Sequence, residues 1–362
     1  MSGLGTYVIA AGGTGGHIVP GIALANEIRA QKANASILFV GTSQGLEGRM
    51  IPAAGFPLEL IEASGFMGKT LSKQIRSLAS LPKGFLEARA LLRRHRARVV
   101  VGVGGYVTVP VLMAARALGI PVVIHESNAT PGAANRFLSR FATRTAVGLA
   151  AANAHLKKPG VLTGTPVRRE FFDAPALLPE AATRRLLVFG GSQGSRVLNR
   201  AMARAAVLLE KSSLEVIHQT GVKDLTGTRG RYPRMPARWT LEPFLLSLHE
   251  QMAWADLVVC RAGALTVAEL AASGRPAILV PFGAATGGHQ MENARAMARA
   301  GAAVVIAEND LTAENLAGTV SELISNRERL IDMGAKARAL GKPNAARDLA
   351  RLVYEAEAAA AR

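Results

Sequence analysis

The sequence predicts an α/β protein with two domains, each built on a parallel sheet of the nucleotide-binding type. Two glycine-rich turns, Gly12–His17 and Gly190–Gly194, lie about half a chain apart. Each follows a short apolar run and precedes apolar residues at helical spacing. A strand, a glycine turn and a helix together present backbone N–H groups to a negatively charged ligand. We therefore expect two Rossmann-like domains that face each other across a cleft.

The elements in each half support this interpretation. Apolar runs of strand length alternate with segments long enough for a helix, which is typical of a parallel sheet covered on both faces. The predicted strands are Tyr7–Ala11, Ile37–Gly41, Leu58–Ile61, Val99–Val103 and Val122–His125, then Leu186–Phe189, Glu215–Gln219, Leu257–Cys260, Ala277–Val280 and Ala303–Ile306.

The domain boundary is predicted at the turn around Gly164–Pro166, because residues 146–165 carry the chain out of the first alternating unit. We expect one domain over 1–164 and a second over 165–343. Residues 227–238 are rich in Gly, Pro and Arg and predict an irregular surface loop. The alanine-rich segment 344–362 predicts a final helix that either caps the second domain or returns to the first.

The chain is strongly basic, with a formal net charge of +17. Basic residues alternate with large apolar ones between Lys69 and Arg98, a pattern typical of elements that lie on anionic membranes. A solvated basic helix over a small apolar core is the alternative. Nucleic acid is disfavoured because only 5% of the residues are aromatic. The expected membrane patch contains Lys69, Lys73, Arg76, Lys83, Ile75, Leu78, Leu81 and Phe85.

Several other classes are disfavoured. The first turn fails the dinucleotide pattern Gly-x-Gly-x-x-Gly, because Ile18 stands where the last glycine is needed. The single Cys260 excludes a disulfide framework or a thiolate cluster. The six aspartates include no Asp-x-Asp, so we expect no carboxylate-held Mg²⁺ and no metal site. No secretory signal or membrane-spanning segment is predicted.

Polar residues at the predicted strand ends of the first half are candidates for catalysis, since ligands bind beyond the carboxyl ends of such strands. His17 lies at a helix N-terminus, where the dipole favours the neutral imidazole that a general base requires. A purely structural role for His125 is the alternative. The other candidates are Thr14, Tyr106, Glu126, Asn128 and Asn135.

The segment Arg261–Glu269 gives the sharpest signal in the second half. Small residues open a helix whose first turn offers free N–H groups, and Glu269 follows Thr266 by three residues on the same face. A phosphate at the N–H groups with a ribose held by Glu269 is one interpretation. A capping pair between Thr266 and Glu269 is the other. Arg168 or Arg261 is expected to stabilise charge on a leaving group.

Seven motifs, in this order, resemble the MurG family of N-acetylglucosaminyltransferases, and they span nearly the whole chain. They are Ala11–His17, Gly104–Tyr106, His125–Asn128, Pro166–Arg168, Gly190–Gly194, His218–Gly221 and Cys260–Glu269.

The resemblance implies a metal-independent GT-B fold and a site for each substrate. The second domain would bind UDP-GlcNAc and the first a lipid-linked acceptor. Catalytic residues would be His17, His125, Glu126 and Tyr106, with Asn135 beside the acceptor. Contacts to UDP-GlcNAc would come from Thr14, Gly15, Gly16, Asn128, Arg168, Ser192, Leu245, Ala264, Leu265, Thr266, Val267, Ala268, Glu269 and Gln290.

The activity that the resemblance implies is the conversion of lipid I to lipid II in peptidoglycan synthesis, with inversion at the sugar and no cofactor. The protein would act peripherally at the cytoplasmic face of the cell membrane, beside other cell-wall synthesis proteins. A UDP-GlcNAc 2-epimerase of the same fold is the alternative enzyme. A nucleic-acid-binding protein would fit the charge but leaves the strand-end His, Tyr and Glu residues unexplained.

Overall fold

A computed structural model describes residues 5–43, 45–63, 71–179, 183–283 and 288–360; the side chains of 71–81 and of Lys211 fall outside that description. The chain divides into two compact units. The first contains Met1–Arg168 together with Asn344–Arg362, and the second contains Arg169–Pro343.

A seven-stranded parallel sheet forms the centre of the first unit, in the order β3-β2-β1-β4-β5-β6-β7. The order reverses between β1 and β4, which leaves a crevice beyond the ends of these two strands. The strands are β1 (Thr6–Ala11), β2 (Ser36–Gly41), β3 (Leu58–Leu60), β4 (Ala97–Gly104), β5 (Val122–Glu126), β6 (Arg144–Val147) and β7 (Val161–Leu162).

Helices cover both faces of this sheet, so strand residues of either parity are apolar. Tyr7 and Ile9 pack on the face covered by the first and last helices, whereas Val8 and Ala10 pack on the opposite face. The helices of this unit are α1 (Gly15–Gln31), α2 (Glu47–Ala53), α3 (Leu71–Arg94), α4 (Thr108–Ala117), α5 (Ala133–Leu138) and, at the end of the chain, α13 (Ala345–Ala360).

The second unit repeats this plan with six parallel strands in the order β10-β9-β8-β11-β12-β13. Its order reverses between β8 and β11. The strands are β8 (Arg184–Phe189), β9 (Leu214–Gln219), β10 (Trp239–Glu242), β11 (Leu257–Cys260), β12 (Ala277–Leu279) and β13 (Ala303–Val305).

Apolar faces of α6 and α11 form the core of this unit with β8, β9 and β11. Helices α6, α11 and α12 begin with side-chain caps, from Ser195, Thr312 and Asn326 respectively. The helices are α6 (Arg196–Leu209), α7 (Leu225–Arg231), α8 (Leu248–Trp254), α9 (Ala264–Ser273), α10 (His289–Arg299), α11 (Ala313–Ser325) and α12 (Arg327–Leu340).

Two sequence expectations are wrong. Residues 227–238, expected as a loop, begin inside α7, whose Thr228 is buried and donates to Asp224. Residues 146–165, expected to leave the first unit, still contribute strand residues to its sheet through β6 and β7. None of the helices in the described part of the chain is both long and apolar enough to span a bilayer.

Candidate active site

The first glycine turn follows β1 at the point where the strand order of the first unit reverses. It connects directly to α1, whose N-cap Thr14 makes no side-chain capping bond. Since His17 N–H donates to the Thr14 carbonyl at 3.1 Å, only the N–H groups of Gly15 and Gly16 precede the first bond within the helix. Thr14 is exposed, and Gly15 and Gly16 are half-buried. A turn of this kind is suited to an anionic group.

His17 lies in the first turn of α1 and is half-buried. Its Nδ1–H donates to the Gly12 carbonyl at 3.2 Å, and this tautomer leaves Nε2 with a free lone pair. Burial lowers the pKa of His17, and the Gly12 bond with the negative charges of Glu126 and Glu47 only partly opposes this shift. The imidazole is therefore neutral near pH 7, as a general base must be.

The turn after β4 packs directly against this imidazole. Gly104 (φ +116°) and Gly105 (φ +88°) occupy backbone conformations that side chains rarely adopt. A Cβ at Gly104 would overlap His17 Cδ2 and lie 2.8 Å from Nε2, and one at Gly105 would overlap the Gly12 carbonyl. The two glycines thus allow the closest approach of this turn to His17.

Sequence reasoning missed Glu47, a fully buried carboxylate at the start of α2. Its Oε2 accepts from Gly13 N–H at 3.0 Å, and its Oε1 accepts from the Thr42 N–H and hydroxyl at 3.0 and 2.7 Å. The sequence signal that could have identified Glu47 is its position directly after residues 41–46, the segment at the end of a predicted strand.

Glu126 ends β5 and organises the loop that follows it. Its Oε1 accepts from the N–H and side-chain amide of Asn128, and its Oε2 accepts from Gly132 N–H and the Asn135 amide, at 2.8–3.1 Å. Both oxygens are thus engaged. These bonds favour a structural role for Glu126 over the predicted catalytic one, and Asn135, predicted beside the acceptor, is buried in the same network.

His125 is fully buried, an environment that favours the structural alternative over the predicted catalytic role. Its Nε2–H donates to the Gly164 carbonyl at 3.0 Å, and its Nδ1 accepts from the Ser127 hydroxyl at 3.3 Å. Burial lowers the pKa of His125 and keeps the ring neutral. With both nitrogens paired inside the fold, this histidine has no free atom for proton transfer.

Two more predicted residues of the first unit remain accessible. Tyr106 follows the Gly104–Gly105 turn and exposes 54% of its surface, and Arg168 is also exposed. The structure therefore brings the Thr14–His17 turn and the Gly104–Tyr106 turn together. Glu126 lies near enough for its negative charge to raise the pKa of His17.

In the second unit, the glycine turn after β8 packs against the turn after β9. A Cβ at Gly194 would overlap the Thr220 carbonyl, so only glycine allows this approach. Gln219 accepts from Gly190 N–H at 3.3 Å and donates to the Pro243 carbonyl at 3.3 Å. It therefore links the glycine turn to the loop that carries half-buried Leu245. Ser192 is exposed at the tip of the turn.

A buried hydrogen-bond network supports this pair of turns. His218 accepts from Tyr232 and donates to Asn199, which in turn donates to Asp224 and the Thr220 carbonyl. Burial lowers the pKa of His218 to about 3, so the ring stays neutral. The network fixes the end of β9 beneath the glycine turn.

The N-terminus of α9, after β11, is open for a ligand. Its N-cap is Gly263, which supplies no side chain, and the first intrahelical bond runs from Val267 N–H to Gly263 O at 2.9 Å. The preceding N–H groups, of half-buried Ala264, Leu265 and Thr266, thus have no acceptor within the helix. Thr266 lies inside the first turn of α9, whose N-cap is Gly263.

The other predicted residues of α9 and its neighbours differ in exposure. Glu269 is 5% and Val267 3% exposed, so the side chain of Val267 belongs to the core. Ala268 is half-buried. Half-buried Gln290, in α10, accepts from Phe282 N–H at 2.9 Å.

Arg261, one of the two arginines predicted to stabilise charge on a leaving group, already has an ionic partner within the second unit. Its guanidinium forms a 2.5 Å ion pair with Glu308 and donates to the Val280 and Pro281 carbonyls. It is buried, with 9% of its surface exposed. The charge of Arg261 is thus paired within the protein, and its bonds to the two carbonyls hold the loop after β12 in place.

Part of the expected membrane patch lies outside the described residues, namely Lys69 and the side chains of Lys73, Ile75, Arg76, Leu78 and Leu81. Phe85, predicted in the membrane patch, is half-buried and packs against the core, and Leu86 beside it is 60% exposed. Lys83 is exposed and pairs with Glu62 and Glu87. No cluster of three His, Cys, Asp or Glu within the described ranges is arranged to hold a metal.

Models of two protein families match the chain in succession. The N-terminal domain of glycosyltransferase family 28 matches residues 7–147, and the C-terminal domain of the same family matches residues 185–351. Together with two Rossmann-like units and strand-end sites at both switch points, these matches define a glycosyltransferase of the GT-B class.

Curated relatives narrow the class to a family. The UDP-N-acetylglucosamine–N-acetylmuramyl-(pentapeptide) pyrophosphoryl-undecaprenol N-acetylglucosamine transferase of Syntrophotalea carbinolica is 44% identical, over 94% of this chain and 95% of its own. The enzyme of the same name from Myxococcus xanthus is 44% identical, over 95% and 91%. The solved structure of Acinetobacter baumannii MurG has a TM-score of 0.79 and 30% identity, over 97% of this chain and 99% of its own. The chain belongs to the MurG family.

More distant structures share the fold alone. The calicheamicin glycosyltransferase CalG4 is 18% identical with a TM-score of 0.67, over 99% of both chains.

Proposed function

We propose that this protein transfers N-acetylglucosamine from UDP-GlcNAc to the C4 hydroxyl of N-acetylmuramic acid in lipid I, releasing UDP and lipid II. The observation that carries the proposal is the 44% identity, over 94% of the chain, to a relative named for this transfer. The open helix ends and the neutral His17 supply the chemistry that such a transfer needs.

We assign the general base to His17. Its Nε2 would take the proton from the acceptor hydroxyl as the oxygen attacks the anomeric carbon, while the bond from that carbon to the diphosphate breaks. Inversion at the sugar follows from this single displacement. Tyr106, exposed beside the base, would contact the acceptor.

We assign the diphosphate to the N-terminus of α9 and the exposed Ser192 of the second glycine turn. The free N–H groups of residues 264–266 would stabilise the charge that develops on UDP, a role that metal-dependent transferases give to a cation. The exposed Arg168 is the cationic candidate.

The remaining donor assignments are predictions from the family resemblance. Glu269 would hold the ribose hydroxyls and Leu245 would lie beside the uracil. The sugar would be contacted by Thr14, Gly15, Gly16, Asn128 and Gln290.

We further propose that the protein is peripheral and acts at the cytoplasmic face of the membrane. The basic segment around α3 would contact anionic lipid, and other cell-wall synthesis proteins would be its neighbours. The exposed Leu86 and Lys83 support this surface. Sedimentation with phosphatidylglycerol vesicles should fall as salt rises. Binding that ignores both salt and lipid charge would contradict it.

The decisive experiment measures UDP release and lipid II formation with and without a lipid I analogue. We expect release to depend on the acceptor and to survive EDTA. His17→Ala should lower turnover roughly 10²–10⁴-fold, with UDP affinity retained. Free sugar or an epimer formed without acceptor would favour the epimerase alternative. Near-normal turnover of His17→Ala would remove His17 from the base role.

A further inference from the structure

The buried carboxylate of Glu47 has no role in the chemistry assigned above. It accepts three hydrogen bonds, one from Gly13 N–H and two from Thr42, and it is fully buried. Burying a charged group is costly unless hydrogen bonds compensate for lost water. The contacts of Glu47 go mainly to the glycine turn and to the end of β2, so its burial stabilises this turn.

A second bond ties the same glycine to α2. Leu46 N–H donates to the Gly13 carbonyl at 3.1 Å, so residues 46 and 47 hold both backbone polar groups of Gly13. The next carbonyl along the turn, that of Gly12, accepts from His17 Nδ1–H. A continuous path of backbone therefore connects the Glu47 carboxylate to the imidazole.

The surroundings of Glu47 are shaped to hold the carboxylate in one position. A Cβ at Gly41 would lie 2.7 Å from Glu47 Cγ, one at Gly12 would lie 3.0 Å from Oε1, and one at Gly45 would overlap Oε2. Glycines on two segments, the turn after β1 and the connection from the end of β2 to α2, thus leave room for this side chain. Such close packing is typical of a group whose orientation matters.

We propose that Glu47 is a positioning residue for His17: by fixing Gly12 and Gly13, it holds the imidazole in the tautomer and orientation that leave Nε2 available as the base. This inference rests on the proposed role of His17. Glu47 acts through the turn and touches no substrate in this account. Its carboxylate also contributes one of the negative charges that act on the imidazole.

The charged groups around His17 predict how a variant titrates. Glu47 from α2 and Glu126 from the end of β5 both raise the His17 pKa, while burial lowers it; the neighbouring His125 is neutral. Removing the Glu47 charge therefore lowers the His17 pKa further. Because the base must be unprotonated, the acid limb of the pH–rate profile should then move to lower pH.

The experiment compares the full-length variants Glu47→Gln and Glu47→Asp with the control Glu27→Gln, which removes a similar charge from α1. Two readouts are needed: the NMR titration of the His17 imidazole, and the pH profile of kcat/KM with UDP-GlcNAc and a lipid I analogue. We expect Glu47→Gln to lower kcat about 10–100-fold, to leave the donor KM within about twofold, and to lower the His17 pKa.

Glu47→Asp keeps the charge but loses reach, so kcat should fall while the acid limb stays in place. Glu27→Gln should change neither readout. If Glu47→Gln does not fold, Thr42→Val takes its place: it removes only the hydroxyl bond to Oε1 and should lower kcat a few-fold. Wild-type kinetics in both Glu47→Asp and whichever of the other two variants folds would overturn the proposal.

The two readouts separate this inference from the proposed function. A shifted His17 titration with an unmoved acid limb would mean that Glu47 controls His17 but that His17 is not the base. An unshifted titration in folded Glu47→Gln would refute the coupling itself, whatever the activity.

Discussion

The close contact between Gly104 and His17 allows the base to be displaced without removing it. In Gly104→Ala, the new methyl group would overlap His17 Cδ2 and lie 2.8 Å from Nε2. Ordinary van der Waals contact begins near 3.4 Å and the new methyl group would lie about 1 Å closer than that to Cδ2, so the ring must move by about 1 Å. The substitution removes no atom from the residues that we assign to catalysis or to donor binding.

A displacement of this size has a predictable cost. A shift of about 1 Å in a reacting group costs on the order of 10²-fold in rate, so we expect kcat to fall roughly 10- to 100-fold. The donor KM should change much less than kcat, because the sites assigned to the diphosphate, α9 and Ser192, belong to the other unit. Alanine at φ +116° also costs about 1–3 kcal/mol of stability.

Gly119→Ala separates strain from displacement. Gly119 lies in the same unit at φ +74°, and a Cβ there would meet nothing within 4 Å. We expect this control to lower the melting temperature measured by circular dichroism without lowering kcat. If folded Gly104→Ala turns over lipid I at the wild-type rate, or if both variants lose activity equally, the assignment of His17 as a positioned base is refuted.

Three further predictions concern the second unit and the dependence of turnover on a metal ion. Glu269→Ala removes a hydrogen-bonding carboxylate and should raise the UDP-GlcNAc KM roughly 10- to 100-fold, with the acceptor KM unchanged; an unchanged donor KM argues against ribose binding. Because the pKa of His218 is about 3 when folded and ordinary when unfolded, stability should fall by about 1.4 kcal/mol per pH unit below roughly pH 6.5. Denaturant unfolding followed by tryptophan fluorescence measures this, since both tryptophans lie in that unit, and His218→Gln should reduce the slope by one proton. EDTA should leave turnover intact, and its loss would indicate a required cation.

Most of the fold was predictable because long apolar runs dominate it. Strands such as β1 and β11 are buried on both faces, and their predicted bounds agree with the structure to within two residues. The elements that were missed lack this signal. Strand β6 begins with Arg144 and Thr145, and β10 alternates buried and exposed residues over only four positions. Their pairing with longer strands, which the sequence does not display, makes them strands.

The site was predictable only as a set of strand ends. Parallel topology brings those ends to one edge, so His17 and the Gly104–Gly105 turn were both named in advance. The sequence does not reveal which polar side chains form their hydrogen bonds within the protein and which remain available to a ligand. Glu126 and His125 do so through partners such as Gly132 and Gly164, and Arg261 does so through Glu308. Glu47 was not predicted for the same reason: its hydrogen bonds are also internal, and its partners Gly13 and Thr42 lie on different elements.

The last helix has a consequence for synthesis of the chain. Leu349, Leu352 and Val353 of α13 are part of the core of the first unit, and Glu357 accepts from Tyr7 at 2.6 Å. A ribosome therefore completes the second unit before the first has all of its core. Until those residues emerge, the nascent first unit exposes an apolar groove along α1. A fragment ending at Arg168 should aggregate unless residues 344–362 are fused to it or supplied as a peptide.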